Sequence, residues 1–186
     1  MFDFGLVGLG VMGRNFILNV ASKGFSAIGL SSKDEAINLL KREGADYRVD
    51  GTKSDEEFIK KLSRPRKIML LVPAGNPVDT VIERFLPYLE EGDIIIDGGN
   101  SHYDDTDRRY LYLKNKNIHF IGAGVSGGSK GARFGPSIMP GGDKECYKEI
   151  QPIFEAAAAK VKEEPCVSYL GITSSCLLYT SDAADD

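Results

Sequence analysis

Short apolar segments alternate with longer amphipathic ones along most of this chain, and this alternation limits the folds that it can adopt more than any other feature. The apolar segments are rich in isoleucine, valine and leucine and predict buried strands: residues 2–7, 27–30, 67–72, 94–97 and 118–123. The amphipathic segments between them predict helices: residues 11–23, 34–42, 55–62, 78–89 and 104–115. Strands that are apolar throughout need cover on both faces. The pattern therefore predicts an α/β fold of the doubly wound, Rossmann type with a mainly parallel sheet.

The composition is ordinary for a globular protein: 42% of the 186 residues are hydrophobic, 27% are charged, and the formal net charge is -4. This balance gives no reason to expect nucleic acid or a membrane as a partner. The N-terminus lacks the basic and apolar regions of a signal peptide, so we expect a cytoplasmic protein. The three cysteines, Cys146, Cys166 and Cys176, have no metal-ligand spacing. We expect them to be reduced thiols, and we expect no metal site.

The first glycine-rich turn reads G-L-G-V-M-G at residues 8–13, between the first predicted strand and the first predicted helix. In that context a G-x-G-x-x-G pattern indicates a dinucleotide site. Gly8 is expected to allow the tight turn, Gly10 to let the backbone approach a pyrophosphate, and Gly13 to let the helix pack closely on the strand. The helix N-terminus would then face the phosphates. A purely structural turn is the alternative.

The choice of cofactor depends on the end of the second predicted strand, where an NAD-binding domain places an acidic residue for the ribose 2′-hydroxyl. This chain has Ser31, Ser32 and Lys33 there, followed by Asp34. Two hydroxyls and a cation suit a 2′-phosphate, so these residues favour NADP over NAD. Alternatively, Ser32 caps the following helix and Lys33 is solvated, and the two roles are compatible.

Three further segments follow predicted strands and are rich in small residues. Residues 71–77, L-V-P-A-G-N-P, either pass beside a cofactor or form a plain loop with Pro77 in the first turn of a helix. Residues 97–103, D-G-G-N-S-H-Y, end a buried strand so abruptly that the backbone is expected to lie against a ligand. Asn100 could instead be a turn residue that caps the next helix. The glycine-rich residues 122–135 predict a nest of N–H groups for an anionic substrate.

Taken together, the motifs resemble the amino-terminal domain of the decarboxylating 6-phosphogluconate dehydrogenase family: G-L-G-V-M-G, L-V-P-A-G, I-I-D-G-G-N-S-x-Y-x-D-T-x-R-R and G-x-G-V-S-G-G-x-x-G-A-R-x-G-P-S-I-M-P-G-G. The resemblance runs from about residue 4 to residue 171. The I-D-G-G-N-S and G-V-S-G-G-x-x-G-A-R motifs separate it from other β-hydroxyacid dehydrogenases, which share only the fingerprint. It implies NADP-dependent oxidative decarboxylation of 6-phospho-D-gluconate to D-ribulose 5-phosphate and CO2, in the pentose phosphate pathway.

The resemblance also implies roles for individual residues. The cofactor would be bound by Gly8, Leu9, Gly10, Val11, Met12, Gly13, Ser31, Ser32, Lys33, Val72, Pro73, Ala74 and Asn100. The substrate, 6-phosphogluconate, would be bound by Asn100, Ser126, Gly127 and Gly128, with Asn100 between the nicotinamide and the substrate. The resemblance gives no role to His102 or His119, which we expect to be surface or packing residues. The charged residues nearby are expected to be structural or solvated: Asp97, Asp104, Asp105, Asp107, Arg108 and Arg109.

The chain departs from the family pattern at three places. The family commonly has Asn-Arg-Thr in place of Ser31, Ser32 and Lys33, so NADP affinity here would depend on Lys33. The family often has alanine in place of Gly10, a conservative difference. After residue 171 the family continues into a helical domain with G-H-F-V-K-M-V-H-N, whose lysine is the general base, and then a glutamate that acts as the acid. The 186 residues contain neither the motif with the general-base lysine nor the segment with the acid glutamate. This chain is therefore predicted to contain no catalytic residue and to be inactive alone.

Residues 176–186 resemble a translated sequencing adapter and predict a non-native tail after an NADP-binding domain at residues 1–175. A native acidic tail is the alternative. Two other functions remain open for the domain: a non-catalytic NADP-binding module, and another β-hydroxyacid dehydrogenase. The resemblance implies a homodimer for the full-length enzyme, built largely through the helical domain, and exposed apolar surface on a fragment without that domain predicts poor solubility.

Overall fold

The structure, a computed structural model, describes residues 1–171; the predicted tail and Cys176 lie outside the described residues. The described residues form nine strands: β1 (Phe4–Val7), β2 (Ala27–Leu30), β3 (Val49–Thr52), β4 (Lys67–Leu70), β5 (Ile94–Asp97), β6 (His119–Ser126), β7 (Ser137–Gly142), β8 (Lys160–Val161) and β9 (Glu164–Pro165). They also form seven helices: α1 (Val11–Ser22), α2 (Asp34–Glu43), α3 (Asp55–Lys60), α4 (Asn76–Phe85), α5 (Tyr103–Lys114), α6 (Gly128–Phe134) and α7 (Lys144–Ala157).

Seven of these strands form one sheet in the order β3-β2-β1-β4-β5-β6-β7. The strands from β3 to β6 are parallel, and β7 runs antiparallel to β6 at the edge. This architecture confirms the predicted doubly wound, mainly parallel sheet. The chain order reverses between β1 and β4, and in such sheets this switch point opens a crevice at the carboxyl ends of the strands.

The sheet separates two hydrophobic cores, one on each face. The first core packs α1, α2 and α7 against the sheet, with Phe16, Leu40 and Phe154 fully buried. The second core packs α3, α4 and α5 against the other face around Phe58 and Phe85. Strands β1, β2 and β5 are buried throughout, and β4 is buried after Lys67, which explains why their sequences are apolar at nearly every position.

Several sequence-based boundaries were wrong. Helix α4 begins two residues earlier than predicted, at Asn76, which does place Pro77 in its first turn. Strand β3 was missed because V-D-G-T is half-polar and lies at the edge of the sheet. The glycine-rich residues 122–135 are not one loop: β6 extends through Ser126, and α6 follows it. Strands β7 to β9 and helix α7 were not predicted at all.

No helix in the described part of the chain is long and apolar enough to cross a membrane. Within the same residues, no cluster of histidine, cysteine, aspartate or glutamate could hold a metal ion. Cys146 and Cys166 are free thiols. Burial raises the pKa of the Cys146 thiol to about 12, so this side chain is a packing residue rather than a nucleophile.

Candidate cofactor-binding site

Three turns meet side by side at the carboxyl edge of the sheet. Each turn is tied to a neighbouring strand by a backbone hydrogen bond from an N–H group near its start: Gly8 N–H to the Leu30 carbonyl at 3.1 Å, Leu71 N–H to the Val7 carbonyl at 2.9 Å, and Gly98 N–H to the Leu70 carbonyl at 2.9 Å. The strands therefore deliver the turns at residues 8–13, 71–75 and 97–101 to one place, which is the switch point of the sheet.

The first turn has the backbone geometry that its three glycines predict. Gly8 lies at φ +98°, where other residues are strained. A Cβ on Gly13 would come closer than 3.0 Å to both the Gly8 carbonyl oxygen and the Leu6 side chain, so a glycine is needed for α1 to pack against β1. Gly10 is exposed and has nothing within 4 Å of its Cβ position. Gly10 is the N-cap of α1, and the first N–H groups of a helix have no partner within it.

The second strand delivers Ser31, Ser32 and Lys33 beside the first turn, and all three are at least partly exposed. The Ser31 hydroxyl accepts a hydrogen bond from the Lys33 N–H at 3.2 Å. The alternative role for Ser32 was wrong, because Lys33 is the N-cap of α2 and the cap has no side-chain hydrogen bond.

Lys53 is a cation at this corner that the sequence reasoning missed. Leu30 and Thr52 pair at the ends of β2 and β3, so Lys53 follows β3 as Ser31 follows β2. Its Nζ lies 2.9 Å from an oxygen of Asp34 at the start of α2. Recognising β3 from V-D-G-T would have located Lys53 beside Ser31.

The other two turns contact each other. A Cβ on Gly99 would lie 2.5 Å from the Val72 carbonyl oxygen, so the backbones of the two turns pack without room for a side chain. Val72 is partly exposed, whereas Pro73, Ala74 and Asn100 are exposed. Asn100 has φ +59°. It does not cap the next helix, because the N-cap of α5 is His102, whose Nδ1 accepts from the Asp104 N–H at 3.4 Å.

The segment predicted to bind substrate lies beyond β6. Ser126 is the last residue of β6, Gly127 is the N-cap of α6, and Gly128 begins that helix; all three are exposed. Two side chains of helix α1 bond to α6: the Asn15 and Asn19 amides donate to the carbonyls of Ser129 and Ala132, at 3.0 and 3.1 Å. The helix that begins at the glycine fingerprint thus also positions the predicted substrate segment.

The ion pairs behind the turns depress one carboxyl pKa strongly. Hydrogen bonds from Arg109, and then from Arg108, lower the pKa of Asp79 from 3.8 to about 2. A carboxyl whose pKa is lower in the folded than in the unfolded chain stabilises the fold above the unfolded value, and this contribution is lost as the pH falls through the folded value. Asp79 therefore stabilises the domain fully above about pH 4 and progressively less toward pH 2.

Replacing Asp79 with asparagine should flatten the acid limb of the stability curve. We expect D79N to be less stable than the wild type near neutral pH and to lose less further stability between pH 4 and pH 2. Some slope will remain, because the pKa of Asp50 is also lowered to about 2, by hydrogen bonds from Lys41 and Lys61 that outweigh its burial. Urea denaturation at several pH values measures the difference, with D46N as an exposed control. Parallel curves for D79N and the wild type would contradict the assignment.

These features define a dinucleotide-binding domain: a doubly wound sheet with a glycine fingerprint, a polar corner at the second strand and two small-residue turns at the switch point. A family model described as the NAD binding domain of 6-phosphogluconate dehydrogenase matches residues 3–171. The chain belongs to this family.

Individual relatives agree with the family match. The chain is 52% identical over 170 residues to decarboxylating 6-phosphogluconate dehydrogenase 1 of Saccharomyces cerevisiae, covering 91% of this chain and 35% of that protein. It is 50% identical over 169 residues to the NADP(+)-dependent decarboxylating enzyme of Bacillus subtilis, covering 91% and 36%. The structure of Plasmodium falciparum 6-phosphogluconate dehydrogenase, described in apo form and in complexes with NADP+ and with 6-phosphogluconate, superimposes with a TM-score of 0.89 at 43% identity. That match covers 94% of this chain and 38% of the other. The chain thus spans about a third of the length of these relatives.

Proposed function

We propose that this chain is the NADP-binding domain of an enzyme that oxidatively decarboxylates 6-phospho-D-gluconate to D-ribulose 5-phosphate and CO2. The observation that carries this proposal is the packing of the turn at residues 71–75 against both the fingerprint turn, at Gly8, and the D-G-G-N-S turn, at Gly99. The fingerprint alone suits many dehydrogenases. The D-G-G-N-S turn, in a chain about half identical to named 6-phosphogluconate dehydrogenases, points to this reaction. Residues 1–175 would form the domain.

Each turn has a distinct task in this proposal. The turn at residues 8–13, with the first N–H groups of α1, binds the pyrophosphate. Residues 72–74 line the nicotinamide end, and Asn100 lies between nicotinamide and substrate. Ser126, Gly127 and Gly128 hold the substrate. Bound NADP supplies the hydride acceptor, and the domain's contribution is to fix where that acceptor lies relative to the substrate.

The corner at the second strand determines the preference for NADP. Lys33 and Lys53 are both exposed there, and Ser31 and Ser32 directly precede Lys33. Asp34 already pairs with Lys53, and this pair lowers the net positive charge that Lys53 brings to a 2′-phosphate. Lys33 is therefore the main cation for that phosphate.

Replacing Lys33 with alanine should weaken NADP binding about tenfold, because one charge-assisted hydrogen bond is worth roughly 1.5 kcal/mol. NAD lacks the 2′-phosphate, so its affinity should change less than about twofold. Titrating both cofactors into the wild type and K33A measures this, and K33A should also show a shallower dependence of NADP affinity on salt. Equal losses for NADP and NAD would place the phosphate elsewhere.

The test of the reaction uses the protein product of the longest reading frame that contains this chain. We expect that product to reduce NADP only when 6-phosphogluconate is present and to release CO2 in equal amount. A folded product that binds NADP but oxidises no 6-phosphogluconate would identify a binding module instead. Reduction that is faster with a different β-hydroxyacid would replace the proposed substrate. We also expect the longer product to be cytoplasmic and to form a homodimer. Size-exclusion chromatography with light scattering measures the oligomeric state.

A further inference from the structure

Arg109 is buried, although it belongs to the highly charged first half of helix α5. Its side chain is 1% exposed. The guanidinium donates as many hydrogen bonds as it has N–H groups: Nε to Asp79 Oδ1 at 2.9 Å, Nη2 to Asp79 Oδ2 at 3.0 Å, Nη2 to the Gly75 carbonyl at 3.0 Å, Nη1 to Asp97 Oδ2 at 3.3 Å, and Nη1 to Ser101 Oγ at 2.9 Å.

Three of the four residues that accept these bonds belong to two different turns of the cofactor site. Gly75 ends the turn at residues 71–75, while Asp97 and Ser101 enclose the turn that carries Asn100. Asp97 extends the network, because it also accepts from the Gly99 N–H at 3.0 Å and from the Ser101 hydroxyl at 2.6 Å. One side chain on α5 therefore ties together the two turns that would contact the nicotinamide half of the cofactor.

We propose that Arg109 is a positioning residue that holds the 71–75 turn and the 97–101 turn in register for the nicotinamide half of NADP. This inference rests on the proposed function and adds a residue that does not touch the cofactor itself. A flat fork with five donors can span both turns and the carboxylate of Asp79 at once, whereas a lysine ammonium has three donors at one point and cannot. The charge alone is therefore insufficient, and the geometry of the guanidinium is what the site needs.

The opposite edge of the sheet offers a matched control. Arg66 is also nearly buried, with its side chain 10% exposed, and it bonds the fully buried Asp93 at 2.6 Å, Glu90 at 3.0 Å and the Ile59 carbonyl at 3.2 Å. It lies at the amino ends of β4 and β5, because its own carbonyl accepts from the Ile94 N–H. R66K thus disturbs a similar buried network away from the cofactor turns.

The experiment compares R109K and R66K with the wild type in the full chain, using thermal melting and titrations with NADP and with 2′,5′-ADP, which lacks the nicotinamide half. We expect both variants to have a lower melting temperature than the wild type. R109K should weaken NADP binding at least about tenfold, the loss expected for one charge-assisted hydrogen bond, and should leave 2′,5′-ADP binding within about twofold. R66K should leave both affinities within about twofold.

Three results would overturn the inference: equal losses of NADP and 2′,5′-ADP affinity in R109K, a loss of NADP affinity in R66K as large as in R109K, or unchanged NADP affinity in R109K. If R109K does not fold, S101A takes its place, because it removes one link to the turn and keeps the Arg109–Asp97 pair. S101A should weaken NADP about threefold and spare 2′,5′-ADP, and an unchanged NADP affinity would overturn the inference too. A folded wild type that binds neither ligand would instead refute the proposed function.

Discussion

Replacing Gly13 with alanine should destabilise the domain by about 3 kcal/mol or more, at the upper end of the cost of overpacking. The new methyl group would come closer than 3.0 Å to the Gly8 carbonyl oxygen and to the Leu6 side chain. A flexible side chain could move, but the Gly8 carbonyl is backbone in the turn that joins β1 to α1 and cannot yield without shifting the helix. Denaturation followed by circular dichroism measures the loss.

Gly10 supplies the control for this substitution. G10A adds the same methyl group in the same turn, at a position with φ -66° and nothing within 4 Å. Its stability should stay within about 0.5 kcal/mol of the wild type, with a small gain if the unfolded chain loses freedom. Equal losses in G13A and G10A would mean that the turn is sensitive to any side chain, and the close packing at Gly13 would not be the cause.

Replacing Asn19 with alanine should lower the free energy of unfolding by about 2–4 kcal/mol, because it removes the hydrogen-bond donor of two buried carbonyls near helix ends. The Asn19 amide is 1% exposed and donates to the carbonyls of Ala132, near the end of α6, and Ala157, the last residue of α7, at 3.1 and 2.8 Å. Carbonyls in the last turn of a helix have no partner within the helix. In N19A both would be left buried and without this donor.

The neighbouring Asn15 provides a milder comparison. It lies one turn earlier on α1 and donates to the Ser129 carbonyl at 3.0 Å in an exposed setting, where water can replace it. N15A should therefore cost less than about 1 kcal/mol. Hydrogen exchange should also show faster opening of α6 in N19A than in N15A, because only N19A removes a buried hydrogen bond to that helix. Similar losses in both variants would contradict the role assigned to burial.

The sequence predicts the centre of this sheet well, because β1, β2 and β5, and β4 after Lys67, are buried and leave a continuous apolar pattern. It predicts β3 poorly, because an edge strand with a half-exposed face carries no such signal. The glycine content of residues 122–135 suggested a loop, yet residues 121–126 of β6 pair with β7 and α1 packs on α6. Tertiary contacts outweighed local propensity there.

The site divides in the same way. The fingerprint turn could be placed from the spacing of its glycines, since Gly8 and Gly13 each meet a local steric limit. Arg109 could not be separated from its neighbours, because a run of acids and arginines on a helix looks like a solvated face. Only the approach of Asp79 from α4 and Asp97 from β5 shows that this one side chain is buried and structural. Lys53 was missed with β3, the strand that delivers it.

A binding titration of the chain with NADP and NAD tests the central claim most directly. The account predicts saturable binding of one NADP per chain, tighter than the binding of NAD, by a protein whose circular dichroism shows it folded. A folded chain that shows no saturable binding of either cofactor would contradict the claim that these turns form a dinucleotide site.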